Sequence, residues 1–355
     1  MPNLRDRSIS IVTENQSDNG AYVACPNFEQ YKYCWLRDGA FIAYAMDRCG
    51  EHDSSRRFHE WVGRVILSQA DRVTAIVRSI RGGRTPGPRE MLPTRYRLDG
   101  TRSDDDWANF QLDGYGTWIW GLAEHVRMTG DSGFLDEASE PVSITVDYLT
   151  HCWMMPNYDC WEEFGDRVHP STLACIFGGL TSINRYLERD DIAATAAAIR
   201  QFVLDTSISS GRFIKSVGNN SIDASLLWLS VPFAVVDPAD PAMEATVREV
   251  ERKLHHSGVH RYPEDTYYGG GEWPLLACWL GWYRCRAGEP DRARPILEWV
   301  ESCANESGEL PEQISTHTNA PEYYLPWRER WGEVATPLLW SHAMYLVLNS
   351  ELSSR

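Results

Sequence analysis

Two carboxylate motifs lie about half the chain apart and could together catalyse acid/base cleavage of a glycosidic bond. Glu162 stands between Trp161 and Glu163, and Glu312 lies in the Leu-Pro-Glu-Gln stretch 310–313. That cleavage needs one protonated carboxyl group to release the leaving oxygen and one ionised carboxylate to activate water. The charge of Glu163 and the neighbouring Trp161 ring would raise the pKa of Glu162, as a general acid requires.

Each carboxylate also has an ordinary structural interpretation. The dipole at a helix N-terminus favours glutamate, which would account for the pair Glu162 and Glu163. A loop glutamate such as Glu312 is normally exposed to solvent. The two motifs become informative only as partners from distant parts of the chain.

Aromatic side chains surround these motifs, as in a site that binds sugars. The chain has 15 tryptophans and 16 tyrosines, and flat apolar rings suit the faces of sugar rings. Close to Tyr31 and Trp35, the neighbours Arg37 and Asp38 could bind sugar hydroxyls while Arg37 holds Asp38. The alternative is a helix cap with a surface ion pair that contributes less than ~1 kcal/mol.

A second aromatic motif follows three consecutive aspartates, Asp104 to Asp106. Such a run could bind a divalent cation and a diphosphate group, but a solvated acidic loop is the simpler interpretation. The next residue, Trp107, precedes the polar residues Gln111 and Asp113. This pattern favours a sugar platform with hydroxyl-binding partners.

A third aromatic motif begins at Arg261 and ends in three glycines at 269–271. Arg261 and Asp265 could form a second clamp for sugar hydroxyls, and Trp273 lies at the start of a helical stretch. The glycines are not spaced as in a phosphate-binding loop, and a rigid turn is the alternative interpretation.

Composition narrows the classes of protein. The 355 residues carry a formal net charge of −16 and no strongly basic run, so a nucleic-acid partner is disfavoured. The nine cysteines include no Cys-x-x-Cys pair, and the histidines do not cluster at metal-ligand spacing. We therefore predict no metal site and no cofactor.

The sequence also predicts location and domain organisation. No secretory signal and no apolar run of membrane-spanning length is present. If the chain begins at its natural start, a cytoplasmic enzyme without a membrane partner is expected. We predict one catalytic domain over residues 1–355, with residues 1–20 as an N-terminal arm.

Apolar residues spaced by three and four predict a mostly helical chain. The predicted helices span 36–49, 54–80, 113–129, 137–152, 171–187, 190–205, 223–236, 240–256, 271–287, 290–305 and 334–350. Short strands are predicted near 9–12, 21–24 and 211–217.

The helical pattern favours an all-α fold built as a double-layered barrel. The stretch 275–282 is apolar nearly all round, and such a helix needs neighbours on several sides. No solenoid repeat is visible. The long segments without helical period hold nearly all the candidate residues, so we place the site at one mouth of the barrel. These segments are 20–35, 82–112, 153–170, 257–272 and 306–333.

In this order, the motifs resemble those of the glucoamylase family of inverting glycoside hydrolases, family 15. The likeness lies in 31–38, 107–114, 161–163, 261–268 and 312–313, with 340–343, and extends from about residue 20 to 350. The resemblance implies an (α/α)6 barrel with long active-site loops at one mouth. It implies that Glu162 is the general acid and Glu312 the general base, with Tyr31 helping to hold the attacking water.

The same resemblance implies a set of sugar-binding residues. Those that bind the terminal glucosyl unit or line its pocket would be Trp35, Arg37, Asp38, Trp107, Trp161, Glu163 and Arg261. To these we add Asp265, from the second clamp, and Trp273 as predicted substrate-binding residues. The expected activity is inverting, exo-acting hydrolysis of short α-glucosides from the non-reducing end, with β-glucose as product.

The first motif begins too early for the N-terminal β-sandwich that many prokaryotic relatives carry, and no starch-binding tail follows. We therefore expect small imported oligosaccharides, isomaltose-type α-1,6 sugars first, with α-1,4 maltooligosaccharides and trehalose as alternatives. Linkage would be set by loops 82–106 and 314–331. A non-catalytic sugar-binding protein and a Mg²⁺-dependent enzyme using the three aspartates remain the competing hypotheses.

Overall fold

The computed structural model describes residues 3–103 and 105–354, and most of these residues are helical. The α-helices are α1 Leu4–Glu14, α2 Leu36–Cys49, α3 His52–Ser68, α4 Ala70–Arg81, α5 Asp113–Thr129, α6 Ser132–Glu137, α7 Ser139–Cys152, α8 Pro170–Leu187, α9 Asp190–Thr206, α10 Pro241–Leu254, α11 Pro274–Arg286, α12 Pro290–Ser302, α13 Tyr324–Trp331 and α14 Leu339–Ser353. Short 3-10 turns occur at Glu29–Tyr31, Pro88–Glu90, Ala224–Leu229, Tyr267–Gly269 and Pro321–Tyr323.

Two short antiparallel pairs are the strands of the described chain. Strand β1 (Cys34–Trp35) pairs with β2 (Arg95–Tyr96), so that Trp35 lies opposite Arg95. Strand β3 (Ile208–Ser209) pairs with β4 (Arg212–Phe213). The first pair matters for function because it joins two of the long loops at one mouth of the barrel.

The helices form two concentric layers. In the inner layer, α2, α5, α8, the 3-10 segment Ala224–Leu229, α11 and α14 contact one another in turn, and α14 closes the ring on α2. The outer layer consists of α1, α3, α7, α9, α10 and α12, each packed on the inner elements. This arrangement is the (α/α)6 barrel that was predicted.

Close helix packing in the inner ring depends on glycine where α5 meets α8. A Cβ atom on Gly116 would lie 2.5 Å from the carbonyl oxygen of Cys175, and one on Gly179 would lie 2.3 Å from that of Gly116. Real side chains cannot approach backbone atoms so closely, so both positions require glycine. The contact brings the N-terminal half of α5, which begins at Asp113, against α8.

Aromatic rings fill the axis of the barrel. The ring centroids of Phe41 and Trp340 are 5.7 Å apart, those of Trp279 and Trp340 are 5.5 Å apart, and those of Trp228 and Trp279 are 4.6 Å apart. The series continues through Phe233, Trp120, Tyr44 and Trp282. These residues, here called the aromatic column, separate the candidate site from a depression of about 810 Å³ whose lining includes the later turns of α2, α5 and α8.

The structure corrects several predicted elements. Residues 9–12 lie within α1, not in a strand, and α1 packs on α14. The predicted helix 54–80 is two helices that break at Gln69. The predicted helix 223–236 is a 3-10 turn followed by irregular chain, because Pro232 interrupts a helical hydrogen-bond ladder.

Further corrections concern the small strands and one segment near the C-terminus. Residues 21–24 make only an isolated bridge, from Tyr22 to Gln16, and the strand expected at 211–217 is limited to β4. Segment 306–333, predicted to lack helical period, contains α13. Among the described residues, no helix combines the length and apolar character needed to cross a bilayer.

Candidate active site

The loops that precede the inner helices enclose a cavity of about 290 Å³ at one mouth of the barrel. Eleven of the twelve predicted site residues line this cavity, namely Tyr31, Trp35, Arg37, Asp38, Trp107, Trp161, Glu162, Glu163, Arg261, Trp273 and Glu312. The exception is Asp265, which lies behind Arg261. Residues from five separate loops therefore meet at one place.

A tight turn before α8 presents Glu162 to the cavity. The Oδ1 atom of Asp159 accepts hydrogen bonds from the backbone N–H groups of Trp161 (3.0 Å) and Glu163 (2.9 Å). Glu162 itself has a φ angle of 69°, a conformation that costs energy in any residue except glycine. The turn therefore holds Glu162 in an unfavourable backbone conformation that directs its carboxylate into the cavity.

The Glu162 carboxyl group combines burial with hydrogen-bond donors. Trp35 Nε1 donates to Glu162 Oε1 at 2.5 Å, and Gln111 Nε2 donates to the same oxygen at 3.3 Å. Burial raises the pKa of Glu162, and the Arg37 guanidinium and the Trp35 hydrogen bond partly oppose that rise. A raised pKa suits a group that must hold a proton near neutral pH.

Glu312 lies across the same cavity and is 2% exposed. The Tyr31 hydroxyl donates to Glu312 Oε1 at 2.9 Å and is itself 2.9 Å from the Tyr267 hydroxyl. Burial raises the pKa of Glu312 to about 8, against the lowering effects of the Tyr31 hydrogen bond and of Arg261. The second oxygen, Oε2, has no hydrogen-bond partner within the described chain, so it can accept a proton from water once the carboxyl group is ionised. With a pKa of about 8, Glu312 is mostly ionised only on the alkaline side of neutral pH.

A buried ion cluster at the start of α2 forms the first predicted clamp. Arg37 Nη1 donates to Gln111 Oε1 and to Asp113 Oδ2, both at 2.9 Å, while Arg37 Nε lies 3.2 Å from Asp38 Oδ1. Burial raises the pKa of Asp38 to about 7, although the Arg37 charge lowers it. The Arg37–Asp38 pair is therefore not the surface ion pair of the alternative interpretation.

The second predicted clamp has one member in the cavity and one behind it. Arg261 Nε donates to Asp265 Oδ2 at 2.8 Å, and Arg261 Nη2 donates to Asp265 Oδ1. Arg261 Nη2 also lies 3.8 Å from Glu163 Oε1, and the Tyr262 hydroxyl donates to Glu163 Oε2. The structure therefore places Asp265 as the partner that orients Arg261, while Arg261 and Glu163 face the cavity.

Tryptophan rings form the walls. Trp107 and Trp331 are stacked with centroids 6.2 Å apart and planes inclined by 24°, and Trp35 meets Trp107 edge to face. On the other side, Trp161 contacts Trp273 at 5.9 Å. Apolar ring faces beside a few fixed polar groups are the usual composition of a small-molecule site.

One family model matches most of the chain. The model described as Glycosyl hydrolases family 15 matches residues 5–287. The chain belongs to glycosyl hydrolase family 15. This membership, with 39% identity to isomaltose glucohydrolase of Kribbella flavida, makes the protein a glycoside hydrolase of the glucoamylase type.

Curated relatives of this family-15 enzyme fall into two groups by length. Isomaltose glucohydrolase of Kribbella flavida is 39% identical over 98% of this chain and 92% of that protein. Trehalase 1 of Sulfolobus acidocaldarius is 24% identical over 76% of this chain and 49% of that protein. Glucoamylase of Clostridium sp. is 24% identical over 95% of this chain and 51% of that protein, so the chain spans about half the length of the last two.

Solved structures give the same picture. A wild-type glycosidase superposes with a TM-score of 0.95 at 38% identity, covering 99% of this chain and 96% of that one. A bacterial glucoamylase complexed with acarbose superposes with a TM-score of 0.78 at 21% identity, covering 99% and 55%. The second likeness bears on the fold alone.

The family-15 site contains residues that the sequence motifs did not single out. Trp331 is one of them. It lines the cavity together with Trp327, which the aromatic stretch 323–327 had offered as a wall for a second sugar, and its position four residues later on α13 was the signal that could have revealed it. Tyr267 also lines it; it stands inside the third aromatic motif, but its hydroxyl partner Tyr31 is distant in sequence. Arg95 had no signal at all.

Two of the three consecutive aspartates belong to the described residues, and their surroundings differ. Asp104 lies outside the described residues. Asp105 accepts a hydrogen bond from Arg95 Nη2, and Asp106 lines the cavity.

Proposed function

We propose that the protein is an inverting, exo-acting glucohydrolase that releases β-glucose from isomaltose-type α-1,6 glucosides. The observation that carries the proposal is the meeting of Glu162 and Glu312 in one cavity of about 290 Å³. That volume is near the lower end of the roughly 300–1,000 Å³ range of ligand pockets, which suits a short sugar. The α-1,6 preference is supported by the 39% identity to isomaltose glucohydrolase of Kribbella flavida.

In the proposed mechanism, Glu162 is the general acid and Glu312 the general base. Protonated Glu162 gives its proton to the glycosidic oxygen as the bond to the anomeric carbon breaks. Glu312 takes a proton from a water molecule that attacks that carbon from the opposite face, so the product has inverted configuration. Tyr31 fixes one oxygen of Glu312 and leaves the other for the water.

The terminal glucosyl unit is proposed to bind between the two ion clusters. Arg37 and Asp38 form one cluster and Arg261 and Glu163 belong to the other, and all four line the cavity. Charged groups that are already held in place lose little freedom when a sugar binds, so their hydrogen bonds favour affinity. Asp265 acts through Arg261.

The decisive experiment is a panel of glucose disaccharides followed by NMR, which reports the linkage cleaved and the anomer first released. We expect isomaltose to be cleaved faster than maltose or trehalose, with β-glucose appearing first. Preference for maltose or trehalose would replace the linkage assignment, and initial α-glucose would contradict inversion. Absence of glucose release from every sugar, with binding retained, would favour a sugar-binding protein.

Loops 82–106 and 314–331 are proposed to set the linkage preference, since Asp106, Trp327 and Trp331 from these regions line the cavity.

We also propose that the enzyme works in the cytoplasm on imported sugars. Fractionation of cells that produce the tagged protein would test this location.

A further inference from the structure

Arg95 is a buried cation that the proposed mechanism does not use. It is 1% exposed and lies in β2, directly opposite Trp35 of β1. Its guanidinium carbon is 3.6 Å from the ring centroid of Trp107, 4.1 Å from that of Tyr33 and 5.0 Å from that of Trp35. Three aromatic rings therefore surround one guanidinium group.

The polar contacts of Arg95 join it to two loops. Nη1 donates to the carbonyl oxygen of Gln30 at 2.9 Å, and Nη2 donates to Asp105. Nε has no partner within the described chain. Burying a guanidinium costs far more than burying an aliphatic side chain of similar volume, so a need for simple packing does not explain an arginine here.

Two of the rings that Arg95 contacts belong to the site. Trp107 stacks on Trp331 to form one wall, and Trp35 donates the 2.5 Å hydrogen bond to Glu162. Stacking of a guanidinium on an indole face fixes the plane of the ring as well as its position. Arg95 is thus one residue removed from both the wall and the general acid.

The charge of Arg95 also acts on Glu162. Burial raises the pKa of Glu162, and Arg37, the Trp35 hydrogen bond, Arg95 and the Gln111 hydrogen bond lower it. Other ionisable groups near Glu162 are Asp38 and Tyr31, whose pKa values its negative charge raises. Arg95 is the one cation among these groups that lies outside the sugar clamps.

We propose that Arg95 is a positioning residue that holds the Trp107–Trp331 wall and places a fixed positive charge beside the Trp35–Glu162 hydrogen bond. The inference rests on the proposed function for its kinetic consequences. It assigns Arg95 two separable tasks, one that depends on the planar guanidinium and one that depends on charge.

Two substitutions separate these tasks. Arg95→Lys keeps the charge but loses the planar group that stacks on indole rings, whereas Arg95→Met loses both. We expect both variants to raise KM for isomaltose by roughly tenfold through a loosened wall. Only Arg95→Met should move the alkaline limb of the kcat/KM profile to higher pH, because without the cation the pKa of Glu162 rises and the acid keeps its proton longer.

Other outcomes would overturn the inference. An unchanged KM in both variants would refute the role of Arg95 in holding the Trp107–Trp331 wall. An alkaline limb that stays fixed in Arg95→Met, or that moves equally in Arg95→Lys, would refute the role of its charge. Arg97→Met is the matched control, because Arg97 is exposed two residues away and its side chain donates to the carbonyl oxygen of Arg102. It should leave KM and the pH profile as in the wild type.

A measurement without turnover distinguishes this inference from the proposed function. Amide hydrogen exchange of residues 105–108 should be faster in Arg95→Met than in the wild type or in Arg97→Met, because the loop loses its anchor. Equal exchange rates in the three proteins would refute the role of Arg95 in holding the wall, even if all three proteins are active. Faster exchange in a protein that hydrolyses no α-glucoside would support the wall while the proposed function failed.

Discussion

The roles proposed at the residue scale rest on two buried carboxyl groups, each held at one oxygen. Glu162 accepts hydrogen bonds from the Trp35 indole and the Gln111 amide at Oε1, and Glu312 accepts one from the Tyr31 hydroxyl at Oε1. In each group the other oxygen is left to exchange a proton, with the substrate in the proposed role of Glu162 and with water in that of Glu312.

The first prediction concerns these two groups. Glu162→Gln and Glu312→Gln should each lower kcat for isomaltose by at least about 100-fold, because each removes one proton-transfer step. Steady-state kinetics measures the loss, and circular dichroism checks that the fold is retained. Glu264→Gln, at an exposed glutamate, is the control; activity near the wild-type level in either active-site variant would contradict the assigned roles.

The second prediction uses the Tyr31 hydrogen bond. Burial raises the pKa of Glu312 to about 8 and this hydrogen bond lowers it, so Tyr31→Phe should raise it further. A general base works only when ionised, and the acidic limb of the kcat/KM profile should therefore move to higher pH. The half-exposed Tyr323 offers a control in Tyr323→Phe. An unmoved acidic limb would show that Tyr31 does not act on the base.

The third prediction concerns Asp265, which supports Arg261 from behind the cavity. Asp265→Asn should leave the buried guanidinium with only the more distant Glu163 carboxylate as a charged partner among the described residues, and breaking a buried ion pair in this way destabilises by about 3–5 kcal/mol. We expect a lower melting temperature and a raised KM, because Arg261 loses its orientation. Addition of glucose during the melt should stabilise the wild type more than the variant. Equal stabilisation would contradict the link between Asp265 and sugar binding.

At the scale of elements, the inner helices were the most predictable part of the molecule and the irregular pieces the least. The stretch 275–282 is apolar on all sides because α11 is surrounded, and its start and end were found within a few residues. The 223–236 stretch has a similar apolar content, but Pro232 interrupts a helical hydrogen-bond ladder, and only Ala224–Leu229 forms a 3-10 turn. Helix α13 was missed because two of its tryptophans face a cavity that only the folded loops create.

The fourth prediction concerns the contact between α5 and α8. Gly179→Ala would place a methyl group 2.3 Å from the carbonyl oxygen of Gly116, and overpacking of this kind costs about 1–3 kcal/mol. Urea denaturation should show that loss. Gly63→Ala in α3 meets only Pro141 at 3.5 Å and should be neutral or stabilising, since alanine is the better helix former. A loss at both positions would point to a general intolerance of alanine instead.

At the scale of the whole molecule, the site is a property of the ring and not of any one motif. Sequence order supplied the motifs, yet only ring closure brings the loop before α2 to the loop before α14, and so Tyr31 to Glu312. The two carboxyl groups were predicted together only from the resemblance to a family, because neither motif alone indicates that they meet. For the same reason Arg95, which gains meaning only from three rings folded around it, carried no signal in the sequence.

The aromatic column closes the inner end of the cavity. The glucosyl unit that enters first therefore leaves last, after the rest of the substrate has left through the same opening. Free glucose and fresh substrate then contend for one entrance. A longer chain has to withdraw completely and re-enter before its next unit can be trimmed, so shortening proceeds by separate visits.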